Sequence, residues 1–200
     1  MTLAQVKQKP GKKKSAAQRL WFLHWLMTFF YVLLFVGGYY IARLPESVSF
    51  REIAFDSHKT LGVVVMSLLL ARISVLLLVL QRKYRRNQPK HKPGWAQTVV
   101  LHITLYVFML LAPLSGYFDS NVGDHDVRIF GTGILLPRLF AVNKALDSFG
   151  DSVHFWISYT FLAFIVLHSI DQKKYLRAQV RRFVKGTLPR FLSGLRSKGN

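Results

Sequence analysis

The sequence predicts an all-α integral membrane protein: a four-helix bundle that crosses a bilayer four times, with both termini cytoplasmic. Three observations predict it. Four apolar runs reach the roughly 20 residues a transmembrane helix needs. The 200-residue chain is at once oily and basic, with 51% hydrophobic residues and a formal charge of +19. Its Lys and Arg stand in blocks between the apolar runs, as in membrane proteins, instead of lining one face as nucleic-acid binding requires. No nucleic-acid partner is therefore expected. No alternating strand pattern accompanies the runs, which sets a β-barrel aside.

The first run, Leu20 to Ala42, carries no formally charged residue. It is too long for a cleaved signal peptide, and no small-x-small site follows it. The second, Leu61 to Leu80, is interrupted only by Arg72. The third, Ala96 to Phe118, holds Pro113 and Gly116 near its far end, and the fourth, Val153 to Ile170, is bordered by Asp151 and Asp171. Lys and Arg number six in residues 1–19, six in 81–95 and nine in 171–200. The opposite segments, 43–60 and 119–152, hold six between them but eight of the nine acids. That bias places both termini in the cytoplasm. The expected organisation is a four-helix domain over residues 19–172 between basic cytoplasmic tails, 1–18 and 173–200, suited to anionic lipid. With no cysteine in the chain, disulfides, thiolate zinc sites and Cys-ligated iron–sulfur clusters are excluded.

Five of the seven histidines fall inside or at the ends of the runs. Ionisable side chains are costly in hydrocarbon, so five in so small a bundle point to function. His154 and His168 are 14 residues apart on the last helix. That spacing separates them by ~21 Å and keeps them within roughly 40° of one face. His24 matches the depth of His168, and His58, just ahead of the second span, matches that of His154. Two cross-helix pairs result, His24 with His168 and His58 with His154. Each pair is placed to clamp a flat cofactor, and haem b suits two axial imidazoles between facing helices. Two ligands per layer without a carboxylate or thiolate deep in the spans make a poor tetrahedral zinc or copper site. Polar contacts between helices are the plainer alternative.

Gly62, one turn after His58, clears room for a porphyrin edge. Arg72 lies 14 residues after His58, on the same face and at the depth of the cytoplasmic pair. A haem propionate suits its fork of donors, snorkelling to the headgroups being the alternative. His102, on the third helix, is either a contact to a propionate or quinone or a replacement for His24 as ligand. His125 and His91 are expected to be solvated.

These residues resemble the bacterial cytochrome b-561 family of dihaem membrane proteins over roughly residues 19 to 180. The resemblance is carried by Arg19-Leu20 with His24-Trp25-Leu26, by His58, Gly62 and Arg72, and by His102 through Tyr106 to Pro113 and Gly116. His154 and Leu167-His168 complete it, at a spacing shared with cytochrome b subunits of formate dehydrogenase and hydrogenase. The resemblance implies an inner-membrane electron carrier with two b haems, the outer held by His58 and His154, the inner by His24 and His168. It also implies exchange with quinone, with superoxide as donor in some stand-alone members. Other members anchor a dehydrogenase subunit. Phe155 stands where some relatives have an acid, and Val99 and the Ile170-Asp171 region lack histidines that relatives carry there. Lys59, Arg128, Arg138 and Lys144 are candidate attractors for an anion, although eight acids share their side. Phe130-Gly131-Thr132-Gly133 and Leu135-Leu136-Pro137-Arg138 are candidates for a short interfacial segment. A haem-free, His-lined metal transporter is the remaining alternative, and a homodimer of bundles is left open.

Overall fold

The structure, a computed structural model, describes residues 15–85 and 93–181; His91 and most of both basic tails lie outside the described residues. Four long helices make up the fold: α1 (Ala16–Ile41), α2 (Arg51–Tyr84), α3 (Trp95–Val122) and α4 (Asp147–Asp171). Each is long and apolar enough to cross a membrane. A 3-10 turn, Lys144–Leu146, feeds α4, and residues 173–181 are helical beyond it.

The helix ends follow local chemistry. Ser15 caps α1 with a complete capping box: its hydroxyl accepts from the Gln18 amide while its own amide donates to Gln18 Oε1 at 2.9 Å. Gly94, at φ +79°, starts α3 in a left-handed conformation that glycine adopts without strain. The four apolar runs lie within these helices, except that the first runs one residue past α1 to its C-cap, Ala42, and the helices otherwise extend further. The extension matters most at the start of α2, where residues 51–60 are helical although they are too polar to belong to the apolar run. His58, expected ahead of the span, therefore stands on α2 itself, two turns in.

Helix α1 lies along α2, α3 along α4, and α2 meets α3, which leaves a long cleft between α1 and α4. Midway along, Phe161 of α4 closes that cleft against α1. Its ring meets Tyr31 at 5.1 Å between centroids, Phe35 at 5.8 Å and Phe108 of α3 at 6.2 Å. Met27, Val65, Leu69 and Leu105 fill the same level, and Phe161 is 1% exposed. This level is the core. Pro113 has no amide hydrogen, so the carbonyl of Met109, four residues earlier, loses its helical partner. The Tyr31 hydroxyl donates to that oxygen at 3.1 Å, so the proline joins α1 to α3.

Outside the core, large apolar side chains such as Leu70, Leu77, Val100 and Leu167 point away from the bundle and are exposed. A surface so apolar, on helices that satisfy their own backbone, is the build of a protein dissolved in lipid. The chain is a multi-pass membrane protein.

Candidate functional site

Phe161 lies seven residues from His154 and seven from His168, and it divides the cleft into two histidine layers. The layer with the eight-acid segments is called the acidic end here, and the opposite one the basic end. One cavity of about 2160 Å³ touches both, lined by His24, His58, His102, His154, His168 and Arg72.

At the acidic end the rings of His58 and His154 have centroids 6.5 Å apart and planes at 82°. At the basic end those of His24 and His168 are also 6.5 Å apart, at 83°. Two imidazoles on opposite sides of one metal ion, through bonds of ~2 Å and with each nitrogen roughly 1.1 Å from its ring centroid, have centroids about 6.3 Å apart. Both pairs match that separation. The His102 ring lies 5.2 Å from that of His168, too close for a shared metal in this arrangement. Its Nδ1 donates to the Thr98 carbonyl at 2.6 Å, because a carbonyl only accepts.

Two glycines that the sequence did not single out for this role seat the acidic-end rings. A methyl group at Gly38 of α1 would lie 3.1 Å from His58 Cε1, and one at Gly116 of α3 would lie 3.0 Å from His154 Cε1. Larger residues there would push the rings aside. His154 Nδ1 is 3.0 Å from Ser115 Oγ, and that hydroxyl donates to the Ala112 carbonyl at 2.9 Å. Gly62, by contrast, borders open cavity: a Cβ there would meet nothing within 4 Å.

The basic end has different surroundings. Arg72 points inward instead of snorkelling, its Nε donating to the Tyr106 hydroxyl at 2.8 Å. Its Nη1, the Trp25 indole nitrogen Nε1 and His168 Nδ1 are buried without a partner. Buried polar atoms left unpaired cost on the order of 1–3 kcal/mol each, so this layer suits a ligand that brings polar groups. The carboxylates of a haem would answer two donors of this kind. Trp25 adjoins His24 in the sequence, and nothing in its spacing marks its nitrogen as unpartnered. Below it, Trp21 Nε1 donates to Tyr175 at 3.1 Å and closes the end of the cavity.

Among the described residues no cluster of three or more His, Cys, Asp or Glu is built to hold a bare metal ion. Pairs suffice where a macrocycle supplies the equatorial nitrogens. His125 is exposed, as expected.

The loop over the acidic end is irregular, with one isolated antiparallel bridge between Arg128 and Leu135. It is tied down at several points. Arg138 Nη2 donates to Asp126 at 2.8 Å and its Nη1 pairs with Asp124. Arg128 pairs with Asp126 at 3.6 Å, Lys59 donates to the Asp126 carbonyl at 3.0 Å, and Tyr117 donates to the Pro137 carbonyl. The Arg138 hydrogen bond holds the Asp126 carboxyl below the usual carboxylate range. Three of the four cations offered as anion attractors are thus already engaged.

An apolar four-helix bundle with paired imidazoles along one cleft is the build of a membrane-bound b-type cytochrome. Residues 17–171 match the prokaryotic cytochrome b561 family, and the chain belongs to it. It is similar to Cytochrome b561 homolog 2 of Escherichia coli (strain K12), 24% identical over 157 residues that cover 76% of this chain and 79% of that protein. Haem b, electron transfer and an inner-membrane setting come with the family, and the haem-free transporter is left without support.

Proposed function

We propose that the chain is a dihaem electron carrier, in which His58 and His154 would hold one haem b and His24 and His168 the other. The observation that carries this reading is the common 6.5 Å separation of the two pairs. It favours His24 over His102 as the second basic-end ligand. When bound, haem supplies reversible one-electron chemistry. The chain's residues do the rest. Gly38, Gly116 and Gly62 leave the space, and Arg72 and Trp25 would hold the carboxylates at the basic end.

The partner in exchange is a quinone. The cleft opens towards lipid, since Val32, Val36, Trp156 and Tyr159 both line the cavity and are exposed, and a lipid-soluble carrier arrives by that route. Both termini and the basic end face the cytoplasm, following the Lys and Arg bias. Superoxide oxidation at the acidic end is the sharpest form of this reading. With Lys59, Arg128 and Arg138 engaged by the loop, it draws no support from a free positive patch.

The test is reoxidation of the dithionite-reduced protein by a short-chain quinone in detergent, followed with a superoxide-generating system as sole reductant. Rapid reoxidation supports the quinone partner, and superoxide-driven quinone reduction supports the oxidase form. Haem that stays reduced in quinone, in a protein that copurifies with an iron–sulfur subunit, would favour the dehydrogenase anchor instead.

A further inference from the structure

The two pairs present their imidazoles alike, yet the groups behind the rings differ. The Ser115 hydroxyl has one proton, and it goes to the Ala112 carbonyl. Its oxygen is then an acceptor towards His154, 3.0 Å away. The Ala112 carbonyl, which only accepts, is also a partner of the His154 ring; with that carbonyl and the Ser115 oxygen on one side, Nδ1 takes the ring proton and Nε2 keeps its lone pair for a ligand bond. Bonds in series polarise one another, and Ser115 is 7% exposed, so water does not compete for them. At the basic end His168 Nδ1 is buried with no acceptor. Arg72 adds a half-buried positive charge there, with Nη1 unpaired.

We propose that Ser115 is a positioning residue which fixes the His154 tautomer and makes the His58/His154 centre the lower-potential one of the two. This rests on the dihaem reading above. An acceptor on Nδ1–H raises the basicity of the opposite nitrogen and so favours the oxidised metal. A nearby guanidinium favours the reduced one, by Coulomb attraction for the added electron. Both differences act in the same direction. With haem bound at both pairs, the Ser115 acceptor at one end and the Arg72 charge at the other would together favour electron transfer from the acidic end to the basic end.

The test is a potentiometric titration of the purified holoprotein and of Ser115→Ala and Ser115→Thr. Two midpoints are expected in the unaltered chain. Ser115→Ala should raise the lower one and leave the upper unmoved, with haem per chain and both low-spin spectra unchanged. Ser115→Thr, which keeps the hydroxyl, should restore the lower midpoint. In a His24→Ala background only the lower midpoint should remain, and it should still rise when Ser115→Ala is added. If that double variant does not fold, low-spin resonance spectra of the intact Ser115→Ala chain give the same answer, with one of the two signals displaced. A lower midpoint unmoved by Ser115→Ala, or a shift of the upper one, overturns the proposal. An unaltered chain with fewer than two haems would overturn the dihaem reading itself, a distinguishable failure.

Discussion

At the acidic end the imidazoles of His58 and His154 rest against Gly38 and Gly116, and a serine answers one of them. At the basic end those of His24 and His168 sit in a layer with Trp25, Arg72 and His102, where three buried polar atoms have no partner. Ring separation and tilt are nearly identical in the two layers, so ligand geometry alone cannot distinguish them. The first layer works by clearance and by a hydrogen bond supplied from the protein. The second works by donors that wait for a ligand's acceptors. Under the proposed dihaem reading, these two sets of surroundings would tune the centres apart.

The largest expected effects break one layer and spare the other. His154→Ala or His168→Ala should each reduce haem from two per chain to one, and His24→Ala should act like His168→Ala. His102→Ala should retain both haems; loss of one only in that variant would replace His24 as ligand. Haem content per chain reads all four.

Next come the surroundings of the rings. Gly116→Leu should displace His154 and empty the acidic layer alone. Gly62→Leu should leave the apoprotein fold intact and lower haem content, because its side chain enters cavity and not protein. Unaltered haem in Gly62→Leu would mean that no porphyrin edge lies there. At the other layer Arg72→Gln should weaken haem retention by about 10–100-fold, the usual range for a group that supports a metal ligand. Dilution of the holoprotein into an excess of a haem acceptor measures it, and equal loss from both layers would contradict the assignment.

Much of this was legible in the sequence, for reasons that can be stated. The spans follow from composition, and the pairing from helical repeat: 14 residues bring His154 and His168 back to one face. Sequence spacing does not choose between His24 and His102, because both have a suitable depth; the ring separations of 6.5 Å and 5.2 Å from His168 are what favour His24 in the proposal. Gly38 and Ser115 escaped notice because their importance lies in what faces them across a helix boundary, which no repeat encodes. The polar start of α2 misled in the opposite sense: hydropathy ends where the oily surface ends, while the helix continues through Arg51–Thr60. The cations of the acidic end looked available until the loop showed Asp124 and Asp126 beside them.

Smaller effects test the frame that holds the layers in register. Tyr31→Phe should cost about 1–2 kcal/mol, since it leaves the Met109 carbonyl beside Pro113 unpaired in the core. Thermal unfolding in detergent reads it, and both haems should remain. The mildest effect concerns the exposed loop. Because Arg138 lowers the folded-state pKa of Asp126, the clasp contributes fully above the unfolded carboxylate pKa of ~4 and is lost as pH falls through the lower folded value. Proteolysis of the 124–138 segment should therefore quicken only in acid, and Arg138→Ala should give the same quickening at neutral pH. A loop equally resistant in both would show that the clasp is not what holds it.

The most direct measurement is haem per chain in the purified protein, with oxidised and dithionite-reduced spectra of the same sample. Two low-spin b haems per chain is the predicted result, one for each histidine layer. A single haem, or a high-spin spectrum after expression with ample haem, would contradict the claim that both pairs are axial ligand sets.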